Sequence, residues 1–126
     1  MGDLEWLNKH YNFRNVAFSI DELIVLDVSK TERNLERFCQ DLKALNDQCF
    51  VPIAAGGGVR SVEDAKAVLD AGADKLVVNT SLHSEPNLIR ELVSIYGSQC
   101  IIASIDLKKV DHDLVVFIYN GSERLM

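Results

Sequence analysis

The chain has 126 residues, 48% hydrophobic and 25% charged, which is the composition of a globular segment and excludes collagenous and disordered classes. Thirteen Lys and Arg stand against nineteen Asp and Glu, a formal net charge of −6, so the surface repels nucleic acid in bulk while leaving room for a local positive pocket. No apolar run reaches the roughly 18 residues of a membrane span, and the start Met1-Gly2-Asp3-Leu4-Glu5-Trp6 carries neither a secretory signal nor a myristoylation motif.

In chain order, residues 4–11 read as a helix, and residues 23–28 (LIVLDV) as the first of four short β-rich runs. Residues 31–47 follow as a helix whose stripe is Leu35, Phe38, Cys39, Leu42 and Leu45, with Ser29 and Glu32 at capping-box spacing. Residues 51–55 (VPIAA) form the second strand. A helix then opens at Ser61, with Glu63 and Asp64 in its first turn, an inward stripe of Val62, Ala65, Val68 and Leu69, and a stop at Gly72.

Residues 75–79 (KLVVN) are the third strand. Pro86 fits the first turn of a further helix with Leu88, Ile89, Leu92, Val93 and Tyr96 inward and Gly97 at its end. Residues 100–106 (CIIASID) are the fourth strand, and residues 114–119 (LVVFIY) pair with the stretch before them around Asp111-His112-Asp113. Asn120-Gly121 favours a tight turn, with too few residues beyond it for a long partner strand. This alternation is that of a parallel α/β sheet built from βα units, and one segment spans residues 1–126.

In such sheets ligands bind at the carboxyl ends of the strands. Those ends carry Asp27, Gly56-Gly57-Gly58, Asn79-Thr80 and Asp106. Alternation places Leu23, Val25 and Asp27 on one side of their strand, as it does Val77 with Asn79 and Ile102 with Ser104 and Asp106, so a single face can carry every polar tip.

Three consecutive glycines lose about 0.5–1 kcal/mol each relative to Ala in ordered structure, and close approach of the backbone to a ligand accounts for them better than a turn alone. The amides of Gly57, Gly58 and Val59, just before a helix start, suit a phosphate, with Asn79 and Thr80 completing the grip. A tight βα turn is the bland alternative. Asp27 and Asp106 suit general acid or base work, or equally a pairing of Asp106 with Lys108 or Lys109 and a bond from Asp27 to the backbone of Ser29 or Lys30.

Glu22 and Lys75 sit at the opposite, amino ends of their strands, where a surface ion pair is the default, and Asp74 reads as a solvated turn residue. The glycine loop matches neither the dinucleotide fingerprint nor a Walker loop, and His10, His83 and His112 have no metal spacing, so no cofactor or metal is implied. Cys39, Cys49 and Cys100 are odd in number and lack a CxxC pair, which argues for reduced thiols in small core positions and a cytoplasmic chain.

The runs Asp21-Glu22-Leu23-Ile24-Val25-Leu26-Asp27, Ala55-Gly56-Gly57-Gly58-Val59-Arg60, Gly72-Ala73-Asp74-Lys75-Leu76-Val77-Val78-Asn79-Thr80, Tyr96-Gly97-Ser98-Gln99-Cys100 and Ser104-Ile105-Asp106-Leu107-Lys108-Lys109, in this order and spacing, resemble the HisF family. That family comprises the cyclase subunit of imidazole glycerol phosphate synthase, of histidine biosynthesis, and its paralogues. The resemblance implies a (β/α)8 barrel, which needs about 250 residues, so the chain corresponds to a partial barrel holding strands two to five and the extension after the fifth.

By position, Gly57, Gly58, Asn79 and Thr80 then resemble one of two phosphate sites for a bisphosphorylated sugar substrate. Asp106 matches the acid/base of the fifth strand and Asp27 a supporting carboxylate of the second. Glu22 and Lys75 resemble members of a charged ring through which ammonia enters, and Asp74 a contact to a glutamine amidotransferase (glutaminase) subunit.

Ser29-Lys30-Thr31, Leu82-His83-Ser84, the Ser104 to Lys109 run and the insertion-like residues 8–20 depart from the histidine-pathway pattern and look more like paralogues linked to surface polysaccharides, which transfer nitrogen to a sugar. The counterpart catalytic carboxylate and second phosphate site fall outside the matched strands, so the chain alone is expected to be inactive. Two alternatives remain: a noncatalytic assembly fragment that self-associates through an open face including Leu23, Val25, Ile53, Val77 and Ile102, and the related phosphate-binding barrel isomerase of histidine biosynthesis.

Overall fold

A computed structural model describes residues 5, 6, 9, 19–29, 32–119 and 121–125. The expected helix over residues 4–11, the insertion-like stretch 8–20 and the Lys30-Thr31 and Asn120 positions lie wholly or largely outside these residues.

Four strands, β1 (Leu23–Leu26), β2 (Ile53–Gly56), β3 (Lys75–Val78) and β4 (Ile101–Ala103), form one sheet in the order β1-β2-β3-β4 with every pair parallel. They alternate with α1 (Leu35–Gln48), α2 (Val62–Asp70), the single turn α3 (Ser81–Ser84) and α4 (Pro86–Tyr96). This is the βα repeat of a partial (β/α)8 barrel. A second, antiparallel sheet follows, β5 (Asp106–Val110), β6 (Asp113–Ile118) and β7 (Glu123–Arg124). Among the described residues no helix is long and apolar enough to cross a membrane.

The helix stripes pack as their periodicity predicts. Leu42 and Leu45 of α1, Ala65 and Val68 of α2, and Leu88 and Leu92 of α4 join Ile53, Ala55, Leu76 and Val78 in one core, with Leu35, Phe38, Cys39, Val62, Leu69, Ile89 and Tyr96 against its edge; Val93, expected in the α4 stripe, stands outside this core. Ser61 caps α2 by accepting from the Asp64 amide at 3.0 Å. Gly72, just past α2, has φ +119, and a Cβ there would come within 2.6 Å of the Asn46 side chain.

The start of α1 is different from the expected one. Asn34 is the cap, accepting from the Arg37 amide at 3.0 Å, and the helix begins at Leu35. Ser29 serves Asp27 instead: its amide and hydroxyl both donate to Asp27 Oδ1, at 3.0 and 2.6 Å. An Asx-type turn at the strand tip engages this residue, and the helix does not begin until Leu35.

Register sorts the two faces of the sheet. Val25, Ala55, Leu76 and Ile101 stand in one row, and Leu26, Gly56, Val77 and Ile102 in the next. The first row belongs to the side packed on the helices and the second to the open side. Leu23, Val25 and Ile53 are therefore under the helices, not on the open face with Val77 and Ile102. The true companions of those two are Ile24 and Leu26, 63% and 43% exposed. Alternation within a strand is local, but phase between strands is set by which row the helices bury.

The run 100–106 also divides. Its sheet pairing ends as the Ser104 amide donates to Val78 O at 2.8 Å, and Asp106 opens β5 in the other sheet. The turn joining β5 to β6 is Asp111-His112, with Asp111 at φ +55, as the β-rich run 114–119 leads one to expect.

Candidate functional site

The carboxyl ends of β1 to β4 surround a cleft of about 1110 Å³ whose lining includes Asp27, Gly57, Gly58, Asn79, Thr80 and Asp106. Six of the seven residues singled out at the strand tips, all but the buried Gly56 at the end of β2, thus share one rim. Asp27 arrives there although its strand parity is that of the helix side, because β1 ends at Leu26 and the chain turns. The remaining three candidates lie at the other end of the strands. Glu22 and Lys75 line a second, small cleft of about 30 Å³ with Ile24 and Ile102. Asp74 is tied into the sheet, its carboxylate accepting from the Ile53 amide at 2.8 Å and its own amide donating to Ile53 O at 2.7 Å.

The glycines separate into two kinds. A Cβ on Gly56 would lie 2.0 Å from Val77 O, and one on Gly57 would lie 2.2 Å from Asp27 O, with Gly57 at φ +113. Both are required by the approach of neighbouring backbone, so the fold accounts for them without a ligand. Gly58, at φ +64, has the Arg33 side chain and not backbone as its nearest neighbour, 3.0 Å from a built Cβ. Consecutive positive φ values at Gly57 and Gly58 turn the chain so that, among the described residues, the amides of Gly58 and Val59 donate to no protein acceptor. Unspent donors just before the N-terminus of α2 favour an anion.

The opposite wall is fastened to this loop. The Ser81 hydroxyl, buried at the start of α3, donates to Val59 O. Thr80 Oγ1 accepts from the Tyr119 amide at 3.0 Å. An amide can only donate, so the Thr80 proton stays available to a further acceptor.

Charge follows the same pattern. In a chain of net charge −6, the cleft lining brings Arg33, Arg60 and Lys108 against Asp27, Glu85 and Asp106, so the rim is locally balanced. The Lys108 ammonium lies over the Phe117 ring at 4.4 Å and donates to Gly121 O. It does not pair with Asp106 as one sequence reading allowed, whereas the bond from Ser29 to Asp27 is the bland alternative realised.

Arg33 is the residue that sequence reasoning missed. Its guanidinium lies 3.6 Å from Asp27 Oδ2 and 3.7 Å from Asp64 Oδ2, and Nη1 donates to Gly58 O. Nε and Nη2 are shielded from solvent without a hydrogen-bond partner among the described residues, an arrangement that costs about 1–3 kcal/mol for a buried unsatisfied group. No motif marks Arg33, because its partners are 6, 25 and 31 positions away and meet only in the folded chain.

The family description "Histidine biosynthesis protein" matches residues 9–125. The chain belongs to the histidine biosynthesis protein family. Within that family it is 47% identical over 121 residues to a protein of Parasynechococcus marenigrum (strain WH8102), provisionally named imidazole glycerol phosphate synthase subunit hisF2, covering 96% of this chain and 45% of the relative. It is 36% identical over 124 residues, 98% of this chain and 47% of the relative, to the imidazole glycerol phosphate synthase subunit HisF of Exiguobacterium sp. (strain ATCC BAA-1283 / AT1b). To the HisF subunit of Corynebacterium urealyticum (strain ATCC 43042 / DSM 7109) it is 43% identical over 110 residues, 87% and 42% of the two chains. The chain spans about half the length of the curated relatives it matches, and its place in the histidine biosynthesis protein family agrees with the strand-tip cleft of a partial barrel.

Proposed function

We propose that residues 1–126 form the phosphate-holding part of a HisF-like synthase, within one half-barrel segment. Gly57, Gly58, Asn79 and Thr80 bind one phosphate of a sugar-phosphate substrate. Asp106 transfers protons during nitrogen incorporation and Asp27 supports it. Ammonia, released from glutamine by an amidotransferase partner, enters at the floor past Glu22 and Lys75, near a partner contact at Asp74. Holding substrate by its phosphate while ammonia arrives along a fixed path makes the attack effectively intramolecular.

The observation that carries this reading is the convergence of two unspent amides, of Gly58 and Val59, with Asn79 and Thr80 on the cleft that also holds Asp106. Titration of the isotope-labelled chain with inorganic phosphate tests it. Amide shifts concentrated at Gly57, Gly58, Val59, Asn79 and Thr80 are expected, and a titration that leaves all five unmoved rejects the site. The chain alone, supplied with ammonia and the bisphosphorylated substrate, is expected to show little or no cyclase turnover. Robust turnover abolished by Asp106→Asn overturns that part.

The departures at Ser29, Leu82-His83-Ser84 and Ser104 to Lys109 favour a substrate of the surface-sugar type over the histidine intermediate. Assays of both substrates with ammonia supplied separate these two and also the related isomerase. A second reading, a noncatalytic fragment that self-associates, draws on the exposed Ile24 and Leu26 of the open face, since large apolar patches mark association surfaces.

A further inference from the structure

We infer that Arg33 is a positioning residue of the phosphate grip, holding the Gly57–Val59 turn in its ligand-ready form and offsetting the carboxylates beside it. The inference rests on the reading of the rim as a phosphate site.

Two observations lead to it. The first is geometric. Arg33 Nη1 donates to Gly58 O, and the side chain lies beside Gly58, close enough that a Cβ there would be 3.0 Å from Nε and 3.1 Å from Cδ and Cζ. Carbonyl and following amide point in opposite directions across a trans peptide. Anchoring Gly58 O on the guanidinium therefore turns the Val59 N–H to the other side, where it meets no protein acceptor among the described residues. Gly58, free of a side chain and at φ +64, has few internal restraints, so an external anchor decides which way this plane faces.

The second is electrostatic. Asp27 and Asp64 lie on either side of Arg33, at 3.6 and 3.7 Å, and Asp64 Oδ2 also accepts from the Arg60 amide at 3.0 Å. Without the guanidinium two carboxylates would stand against the loop that is to receive an anion. The pairing distances are long for hydrogen bonds, and Nε and Nη2 remain unpartnered. The guanidinium is thus held by charge and by Gly58 and not by a saturated donor set, which fits a residue placed to shape its surroundings.

Inorganic phosphate titrated into the full chain, followed by the amide shifts of Gly57, Gly58 and Val59, tests the assignment. Arg33→Gln is expected to weaken binding at least tenfold, and Arg33→Lys, which keeps the charge and loses the planar fork, to fall between it and the parent. Asp64→Asn removes one opposing charge while keeping an acceptor for the Arg60 amide, and is expected to tighten binding twofold or more, an outcome that does not depend on Arg33→Gln folding. Parent-like affinity in Arg33→Gln, or unchanged or weaker affinity in Asp64→Asn, overturns the role of Arg33 and leaves the phosphate site standing. A parent chain that shows no amide shift with phosphate overturns both.

Discussion

Thr80 Oγ1 accepts a hydrogen bond from the Tyr119 amide at 3.0 Å, across 39 positions of sequence, and so fastens the end of β6 to the rim of the parallel sheet. The same hydroxyl keeps its proton for an anion, and structural and ligand-binding roles meet in one atom.

Thr80→Val removes both roles and Thr80→Ser neither. The valine variant is expected to lose about 1 kcal/mol of stability, the usual net value of one hydrogen bond, together with most of its phosphate affinity. Faster amide exchange at Tyr119 in the valine variant, with the serine variant like the parent, is the measurement. Equal exchange in all three would mean that the tether carries no load.

Gly57 and Gly58 should part company under substitution. Gly57→Ala drives a Cβ to 2.2 Å from Asp27 O at φ +113, where backbone must move, and a loss of more than about 2 kcal/mol is expected from strain and displacement together. Gly58→Ala is also strained at φ +64, but its nearest neighbour is the Arg33 side chain and not backbone. Thermal melts should rank Gly57→Ala well below Gly58→Ala, whereas phosphate affinity should fall in both. A Gly58 variant less stable than the Gly57 variant would contradict this account.

Burial pushes the Cys39 thiol above its ordinary value of 9.0, with Arg33 lowering it and Asp64 raising it to lesser extents. A proton held more tightly in the folded than in the unfolded chain contributes stability that is complete below the ordinary thiol range and lost as pH rises through the folded value. Peptide-mapped alkylation at about pH 8, a pH chosen below the ordinary thiol pKa, is expected to be slower at Cys39 in the native chain than in urea. The alkaline fall in stability should be shallower in Cys39→Ala. Rapid native alkylation of Cys39 would refute the direction.

The open face carries Ile24 at 63% exposure beside Leu26 at 43%. Ile24→Lys places a charge on the β1 edge of that face, which discourages edge and face association. Light scattering of the purified chain is expected to show self-association that Ile24→Lys reduces. A parent chain that remains monomeric with a cooperative melt would remove the association reading.

How much of this was legible beforehand differs by feature. The βα order, the stripes of α1, α2 and α4, the Ser61 cap and the stops at Gly72 and Gly97 are written locally, in side-chain period and in the conformational freedom of single residues. The six strand-tip candidates were legible for a related reason, since parallel strands bring their carboxyl ends to one rim whatever their spacing.

What the chain order left open was decided by long-range packing. Which sheet face is open depends on the row that the helices bury, and that placed Leu23, Val25 and Ile53 opposite to expectation. Asn34 replaced Ser29 as a cap, and Ser29 bonds Asp27 at the strand tip. Two of three glycines answer to neighbouring backbone at Val77 and Asp27. Arg33 gains its meaning only where Asp27, Gly58 and Asp64 converge. Local period and turn chemistry act over a few residues and can be read from a string, whereas phase between strands and the company of a charged side chain exist only once distant segments have been brought together.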